Sequence, residues 1–225
     1  MYKKIEWPVD LDFKGERELE VPWVRRQLKG ITGARIADFG CINYGDYKAR
    51  PRWLGFDVYG VDDKENTLLA YDKAEFTIMK KRYMIADLMT AGFCKSESVD
   101  VGVSVSVIEH VGVNCEPRVI SGDFIALRNM YDALRVGGFL LITVPAALTA
   151  GLPAPDIRTY TPAVLHKYMD GLYGSKVTYE YYRYMAPFWM VAYDDDSFDE
   201  MNRVAVESSK RKGVTSLACL KIEKR

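Results

Sequence analysis

The chain has 225 residues, 48% of them hydrophobic and 28% charged, with 31 Lys and Arg balanced by 31 Asp and Glu. That length suits one sizeable domain with a substantial core, and zero net charge argues against holding nucleic acid or an anionic membrane by bulk electrostatics. The cysteines Cys41, Cys94, Cys115 and Cys219 are scattered without a CxxC pair, which fits neither a zinc site nor a disulfide scaffold.

In chain order, Glu18 to Lys29 reads as a helix, because Val21, Val24 and Leu28 share one face by three-and-four spacing. Pro22 is acceptable there only in the first turn. Short β-branched runs then predict strands at Ala34 to Phe39, Asp57 to Val61, Arg82 to Ala86, Val99 to Val107 and Phe139 to Val144. Between the last two, Phe124, Leu127, Tyr131 and Leu134 recur at helical spacing over Ile120 to Val136, with Gly137-Gly138 ending the helix. Thr161-Pro162 opens a helix to about Tyr173. Lys176 to Tyr184 and Thr215 to Lys224 read as two late strands. An acidic loop, Asp194-Asp195-Asp196, and a short helix near Phe198 to Ser208 lie between them.

This alternation predicts an α/β Rossmann-like three-layer sandwich: a mostly parallel seven-stranded sheet with an antiparallel C-terminal edge hairpin. The organisation is a single domain, 1–225, with an N-terminal helical segment (1–33), a cofactor-binding half (34–145) and an acceptor-binding half (146–225). The N-terminus lacks an apolar signal core and no run approaches ~18 apolar residues, so no membrane span and a cytoplasmic location are expected.

The chemistry concentrates at predicted strand ends. Asp38-Phe39-Gly40-Cys41 closes the first strand, at the edge where open α/β sheets bind ligands. Glycine there lets backbone approach a nucleoside, and Asp38 can accept from a cationic amino group. Asp62 lies 22 positions after Gly40, near the ~20-residue offset of a ribose-binding carboxylate. Asp87 ends the third strand, within reach of an adenine amino group. One such aspartate can be a helix cap; three at adjacent strand ends suit a cofactor site. Ser104, Ser106, Glu109 and His110 cluster at the fourth strand's end, where a histidine suits proton removal from a hydroxyl. His110 can equally be a helix-start residue bonded to backbone, and His166 reads as structural. GxGxxG is absent, and Asp46-Tyr47 follows Gly45 where a P-loop needs Lys-Ser/Thr. The run Lys210-Arg211-Lys212 reads as a solvated loop, and Asp194-Asp195-Asp196 as a loop rather than a metal site.

These segments resemble, in order and spacing, the motifs of class I S-adenosylmethionine-dependent methyltransferases. Ala34 to Cys41 is similar to the first motif, Tyr59-Gly60-Val61-Asp62 to the second, and Ala86-Asp87-Leu88 to the adenine-side motif. Val99 through Gly112 resembles the fourth-strand motif and Arg135 through Pro145 the fifth. The resemblance implies that Asp38, Gly40, Cys41, Asp62, Asp87, Leu88, Ser104, Ser106 and Glu109 bind S-adenosylmethionine, with S-adenosylhomocysteine as product and His110 as base. Glu20-Val21-Pro22-Trp23-Val24, with Arg158-Thr159-Tyr160 followed by Leu165, is similar to a subgroup associated with glycan and polysaccharide assembly. It implies O-methylation of a sugar or small polyhydroxy acceptor, with Arg158 and Tyr160 shaping the acceptor pocket and no metal. The family usually has Gly where this chain has Ile42, and often where it has Tyr44, which narrows the space over the cofactor's amino-acid end. The alternatives are methylation of another small molecule, a nucleic acid or a protein side chain, and a non-catalytic binding protein. The amino-group motif Asn-Pro-Pro-Tyr is missing after the fourth strand, where Ser-Val-Ile-Glu stands.

Overall fold

The computed structural model describes residues 2–6, 16–41, 57–62, 83–113, 115–154, 157–185, 188–205 and 216–225. Its organising element is a set of parallel strands around a central one, Val99–Val105, which is buried on both faces. These are β2 (Arg35–Phe39), β3 (Asp57–Asp62), β4 (Tyr83–Ile85), β5 (Val99–Val105) and β6 (Leu134–Pro145), after a two-residue β1 (Lys3–Lys4). The sheet order is β1-β10-β9-β11-β6-β5-β2-β3-β4, where β9 is Ser175–Met185, β10 is Phe188–Ala192 and β11 is Ser216–Lys224. A separate two-stranded ribbon joins β7 (Gly151–Ala154) to β8 (Ile157–Thr159).

The sheet corrects the expectation of seven mostly parallel strands. Among the described residues it has nine, and of their pairings only those among β6, β5, β2, β3 and β4 are parallel. The four pairings on the other side are antiparallel. The C-terminal strand is not at the edge either, because β11 is inserted between β6 and β9 and pairs with both. Its run Leu217-Ala218-Cys219-Leu220 is buried throughout, as a strand with neighbours on each side requires. The hairpin is β9–β10, and β1 forms the outer edge, where exposed Lys3 and Lys4 discourage further strand addition.

Helices cover both faces. Helix α1 (Arg17–Leu28) packs Leu19, Trp23, Val24 and Leu28 against Val101, Val103, Val105 and Leu141. On the opposite face α2 (Gly122–Ala133), α3 (Pro162–Asp170) and α4 (Asp195–Ala205) bury Leu127, Met130, Leu165 and Phe198 against Leu140, Ile142 and Val144. Consecutive tyrosines of β9 serve the two layers alternately, Tyr181 packing with one cluster and Tyr182 with the other.

Three local expectations change. Pro22 is the sixth residue of α1, not in its first turn, so the helix forgoes one backbone bond there. Docking compensates: Trp189 Nε1 donates to Glu18 Oε1 (2.8 Å), and Arg26 Nη2 donates to Glu180 Oε2 (2.6 Å). Helix α2 stops at Ala133, and the Gly137-Gly138 pair lies within β6. There the register shifts from Val99↔Leu134 to Val101↔Phe139, Gly137 adopts φ +78°, and a Cβ on Gly138 would meet the Asp100 carbonyl at 2.8 Å. A glycine pair thus makes a bulge rather than a helix stop. Finally, Asp195 and Asp196 open α4 instead of forming a loop, and Asp194 Oδ1 accepts from the Ser197 N–H (2.8 Å). The Ser197 hydroxyl, and then this backbone bond, hold the Asp194 carboxyl below its ordinary range.

Candidate functional site

The order in which strands are added to the sheet reverses between β2 and β5. The strands β2, β3 and β4 follow one another outward, then β5 returns to the other side of β2, opening a crevice beyond the carboxyl ends of β2 and β5. Two turns meet there. Gly40 has φ +69°, its N–H donates to the Val61 carbonyl (2.7 Å), and a Cβ on it would lie 2.4 Å from Val107 Cγ2. Both the left-handed backbone and the close Val107 demand glycine.

The three aspartates fall at the ends of adjacent strands. Asp38 is buried in β2, between Gly60 of β3 and Val103 of β5. Asp62 ends β3 half-buried, and its carbonyl accepts from the Ala86 N–H (2.9 Å). Asp87, exposed two residues beyond β4, caps the following turn by accepting from the Met89 N–H at Oδ1 (2.8 Å). Cys41 and Leu88 are buried, and the Leu88 carbonyl accepts from Asn129 Nδ2 (2.8 Å). Ile42, Tyr44 and Lys210-Arg211-Lys212 lie outside the described residues.

The turn after β5 carries the densest polar chemistry. Ser104 is fully buried, and its Oγ has no hydrogen-bond partner among the described residues. Strand alternation puts Ser104 on the face opposite α1. Ser106 leaves that alternation: at φ +48° it turns its hydroxyl toward α1, where it donates to Glu20 Oε1 (2.7 Å). The same Glu20 oxygen accepts from Thr143 Oγ1 (2.6 Å), and Arg17 binds Oε2. Thr143 Oγ1 in turn accepts from the Ser106 N–H (3.1 Å), so α1, β5 and β6 are tied by one closed set of bonds.

Glu109 follows on a single 3-10 turn, Ile108–His110, and is 1% exposed. Burial pushes its carboxyl up to about 8, and the Glu20 charge adds to that; its own backbone N–H, Arg17 and the Ser106 hydroxyl oppose it. Its Oε2 has no hydrogen-bond partner among the described residues, and its Oε1 lies 4.0 Å from Nε2 of the half-exposed His110.

A second buried carboxylate organises the opposite wall. Asp123 Oδ2 accepts from the hydroxyls of Tyr160 and Tyr168, both at 2.9 Å, and lies 3.7 Å from Arg158 Nε. Burial and this carboxylate raise both phenols well above their ordinary range. The Arg158 guanidinium donates to the carbonyls of Val111 (2.5 Å), Val119 (3.1 Å) and Ile120 (3.2 Å). Arg158 and Tyr160 are therefore engaged with protein groups, and they hold the segment that follows His110. His166 bridges α3 to α4, with Nε2 3.1 Å from Asp195 Oδ2. Among the described residues no group of three His, Cys, Asp or Glu side chains could hold a metal ion, and no helix is long and apolar enough to cross a membrane.

Sequence reasoning missed Glu20, Asp123 and Thr143. The signal existed for the first two: Glu20 lies four residues before Val24, and Asp123 four before Leu127, each a charge on its helix's buried face. A carboxylate there must be satisfied internally.

Neither a protein-family model nor a curated protein matches the sequence. Solved structures do. An S-adenosylmethionine-dependent methyltransferase from Mesorhizobium loti superimposes with a TM-score of 0.59 at 17% identity, over 95% of this chain and 100% of that one. The 1,6-didemethyltoxoflavin-N1-methyltransferase of Burkholderia thailandensis, with 1,6-didemethyltoxoflavin and S-adenosylhomocysteine bound, gives 0.59 at 14%, over 92% and 77%. The chain has the class I methyltransferase fold. The [4+2]-cyclase SpnF matches it equally, at 0.59 and 16% identity over 91% and 80%. A methyltransferase fold at such identities fixes architecture, and chemistry must be argued from the site.

Proposed function

We propose that this methyltransferase-fold chain is an S-adenosylmethionine-dependent O-methyltransferase acting on a sugar or small polyhydroxy acceptor in glycan synthesis. One observation carries the reading: at the β2/β5 crevice, the Gly40 turn packs on the turn bearing Ser106, Glu109 and His110. Two buried polar atoms at the end of β5, Ser104 Oγ and Glu109 Oε2, have no hydrogen-bond partner among the described residues, and such atoms call for a ligand or water. These residues fit S-adenosylmethionine.

In this reading Asp38, Gly40 and Cys41 line the amino-acid end of the cofactor. Asp62 accepts from the ribose hydroxyls, and Asp87 with Leu88 borders the adenine. Ser104, Ser106 and Glu109 border the methionine end. When bound, the cofactor supplies an electrophilic methyl group on a sulfonium. His110 Nε2, half-exposed at the crevice, takes the proton from the acceptor hydroxyl, a role worth about 10²–10⁴-fold in rate. Arg158 and Tyr160 shape the acceptor pocket by fixing the 111–120 segment, so their contribution is alignment, which governs in-line displacement. The sugar acceptor and the glycan setting rest on the similarity of the Glu20-Val21-Pro22-Trp23 and Arg158-Thr159-Tyr160 segments to that subgroup.

Calorimetric titration with S-adenosylmethionine and S-adenosylhomocysteine, with NAD as control, tests the reading. Micromolar binding of both, lost in Asp62→Ala, supports it; transfer of labelled methyl to a panel of monosaccharides then tests the acceptor class. Binding of neither ligand ends the cofactor-site reading. Binding without transfer to any acceptor leaves a non-catalytic binding protein.

A further inference from the structure

Besides Asp38 of β2, three carboxyl groups are buried in the described part of this crevice: Glu20 and Asp123 at 0% exposure and Glu109 at 1%. Two have a guanidinium beside them. Arg17 binds Glu20, and Arg158 Nε lies 3.7 Å from Asp123, so each of these charges is locally compensated. Glu109 has no such arrangement. Among the described residues its ion-pair neighbour is His110 Nε2 at 4.0 Å, on a side chain that is 40% exposed. Of the remaining groups that face it, one more distant guanidinium is cationic and the rest are anionic or neutral. From α1 it meets Glu20 and, more distantly, Arg17; from its own turn, the Ser106 hydroxyl; from β8, the Tyr160 phenol, whose proton is already given to Asp123.

Glu20 and Glu109 differ in the donors around them. Glu20 accepts from Arg17, Ser106 and Thr143, a set of three donors that fits the ionised form. The Ser106 hydroxyl donates to Glu20 Oε1, and burial raises the Glu109 carboxyl despite the partial opposition of that hydroxyl. The described part of the crevice thus holds a buried carboxyl raised to about 8, with no arginine ion pair and with one oxygen lacking a partner among the described residues. A cation brought into contact opposes that rise.

We infer that Glu109 is the proton-linked countercharge of this crevice: entry of a sulfonium cation expels the Glu109 proton to solvent, and entry of the neutral thioether does not. The inference rests on the reading of the crevice as an S-adenosylmethionine site. It adds that the protein distinguishes the charged ligand from its uncharged product through one titrating side chain, favouring exchange of product for substrate as pH rises.

The test is calorimetry at pH 7 in two buffers of different ionisation heat, with S-adenosylmethionine and S-adenosylhomocysteine titrated into wild type and Glu109→Gln. The expected result is close to one more proton released per site with the sulfonium than with the thioether in wild type, and loss of that difference in Glu109→Gln. The variant also subtracts any proton the ligands themselves exchange. In wild type, sulfonium affinity should climb up to tenfold per pH unit from 6 and level off near 8, relative to the thioether. Equal proton release by the two ligands, or a difference that persists in Glu109→Gln, overturns the inference while leaving the cofactor site standing. If neither ligand binds, the site reading fails and takes this inference with it. Should Glu109→Gln not fold, Glu109→Met, neutral and of similar volume, takes its place as the reference in the same comparison.

Discussion

Replacing Glu109 by glutamine converts the buried carboxyl into a permanently neutral group of the same shape, and the consequence for stability has a definite sign. The Glu109 carboxyl is raised from 4.5 to about 8, mainly by burial. A group raised in the folded state contributes stability fully below its unfolded pKa and loses it as pH rises through the folded one, so the window runs from about 4.5 to about 8. At about 1.4 kcal/mol per pK unit, wild type should lose about 3–4 kcal/mol relative to Glu109→Gln between pH 5 and pH 8. For a chain of this size that is a relative fall in Tm of about 10 °C. Thermal unfolding of both proteins at half-unit pH steps measures it. Parallel Tm curves from pH 5 to 8 would refute the reasoning, since they mean that Glu109 ionises over the same range folded and unfolded.

The neighbouring groups give further expectations. Glu20→Gln removes the charge and one of the two oxygens that accept from Ser106, Thr143 and Arg17, and should cost about 1.5–3 kcal/mol by urea unfolding. Because the Glu20 charge adds to the Glu109 shift, the same change should also narrow the pH-dependent gap above; an unchanged gap would mean the two carboxyls are uncoupled. Asp123→Asn, which leaves Arg158 without its carboxylate and weakens two tyrosine bonds, should cost about 3 kcal/mol or more, and an unshifted urea midpoint would contradict that. Gly40→Ala should lose about 1–3 kcal/mol to its left-handed backbone alone. Adding Val107→Ala removes the 2.4 Å contact but not the backbone strain, so the double variant should recover only part of the loss in Tm.

The parallel half of the fold was legible because each strand is a β-branched run ending in a distinct polar residue, and the order of those ends survives in one dimension. Asp38, Asp62 and Asp87 do fall at neighbouring strand ends, since a parallel sheet turns equal spacing along the chain into adjacency at one edge. The antiparallel half was less legible. Which neighbour β11 takes is set by non-local pairing, and a buried run such as Leu217 to Leu220 says that a strand is interior without saying between which partners. The two-residue β1 and the short β7, β8 and β10 carry too few residues for a period-two pattern. Gly137-Gly138 misled because the glycine signal for a helix stop is also the signal for a bulge; only the partner strand's register tells them apart.

The same limit explains why half of the crevice's polar chemistry was visible and half was not. Ser104, Ser106, Glu109 and His110 are contiguous in sequence, so their proximity could be read directly. Glu20 and Asp123 reach the crevice from separate helices, 86 residues from Ser106 in the first case and 37 from Tyr160 in the second. Their role follows from a constraint rather than a motif: a carboxylate on the buried face of a helix must find donors, and the donors nearest each helix are those at the ends of β5, β6 and β8. Glu109 differs because its turn brings no guanidinium to it. Two satisfied carboxylates and one uncompensated carboxyl are more informative together than any of the three alone. The first two pair with arginines of the fold, and the third has no such pairing among the described residues, as the proposed countercharge role requires.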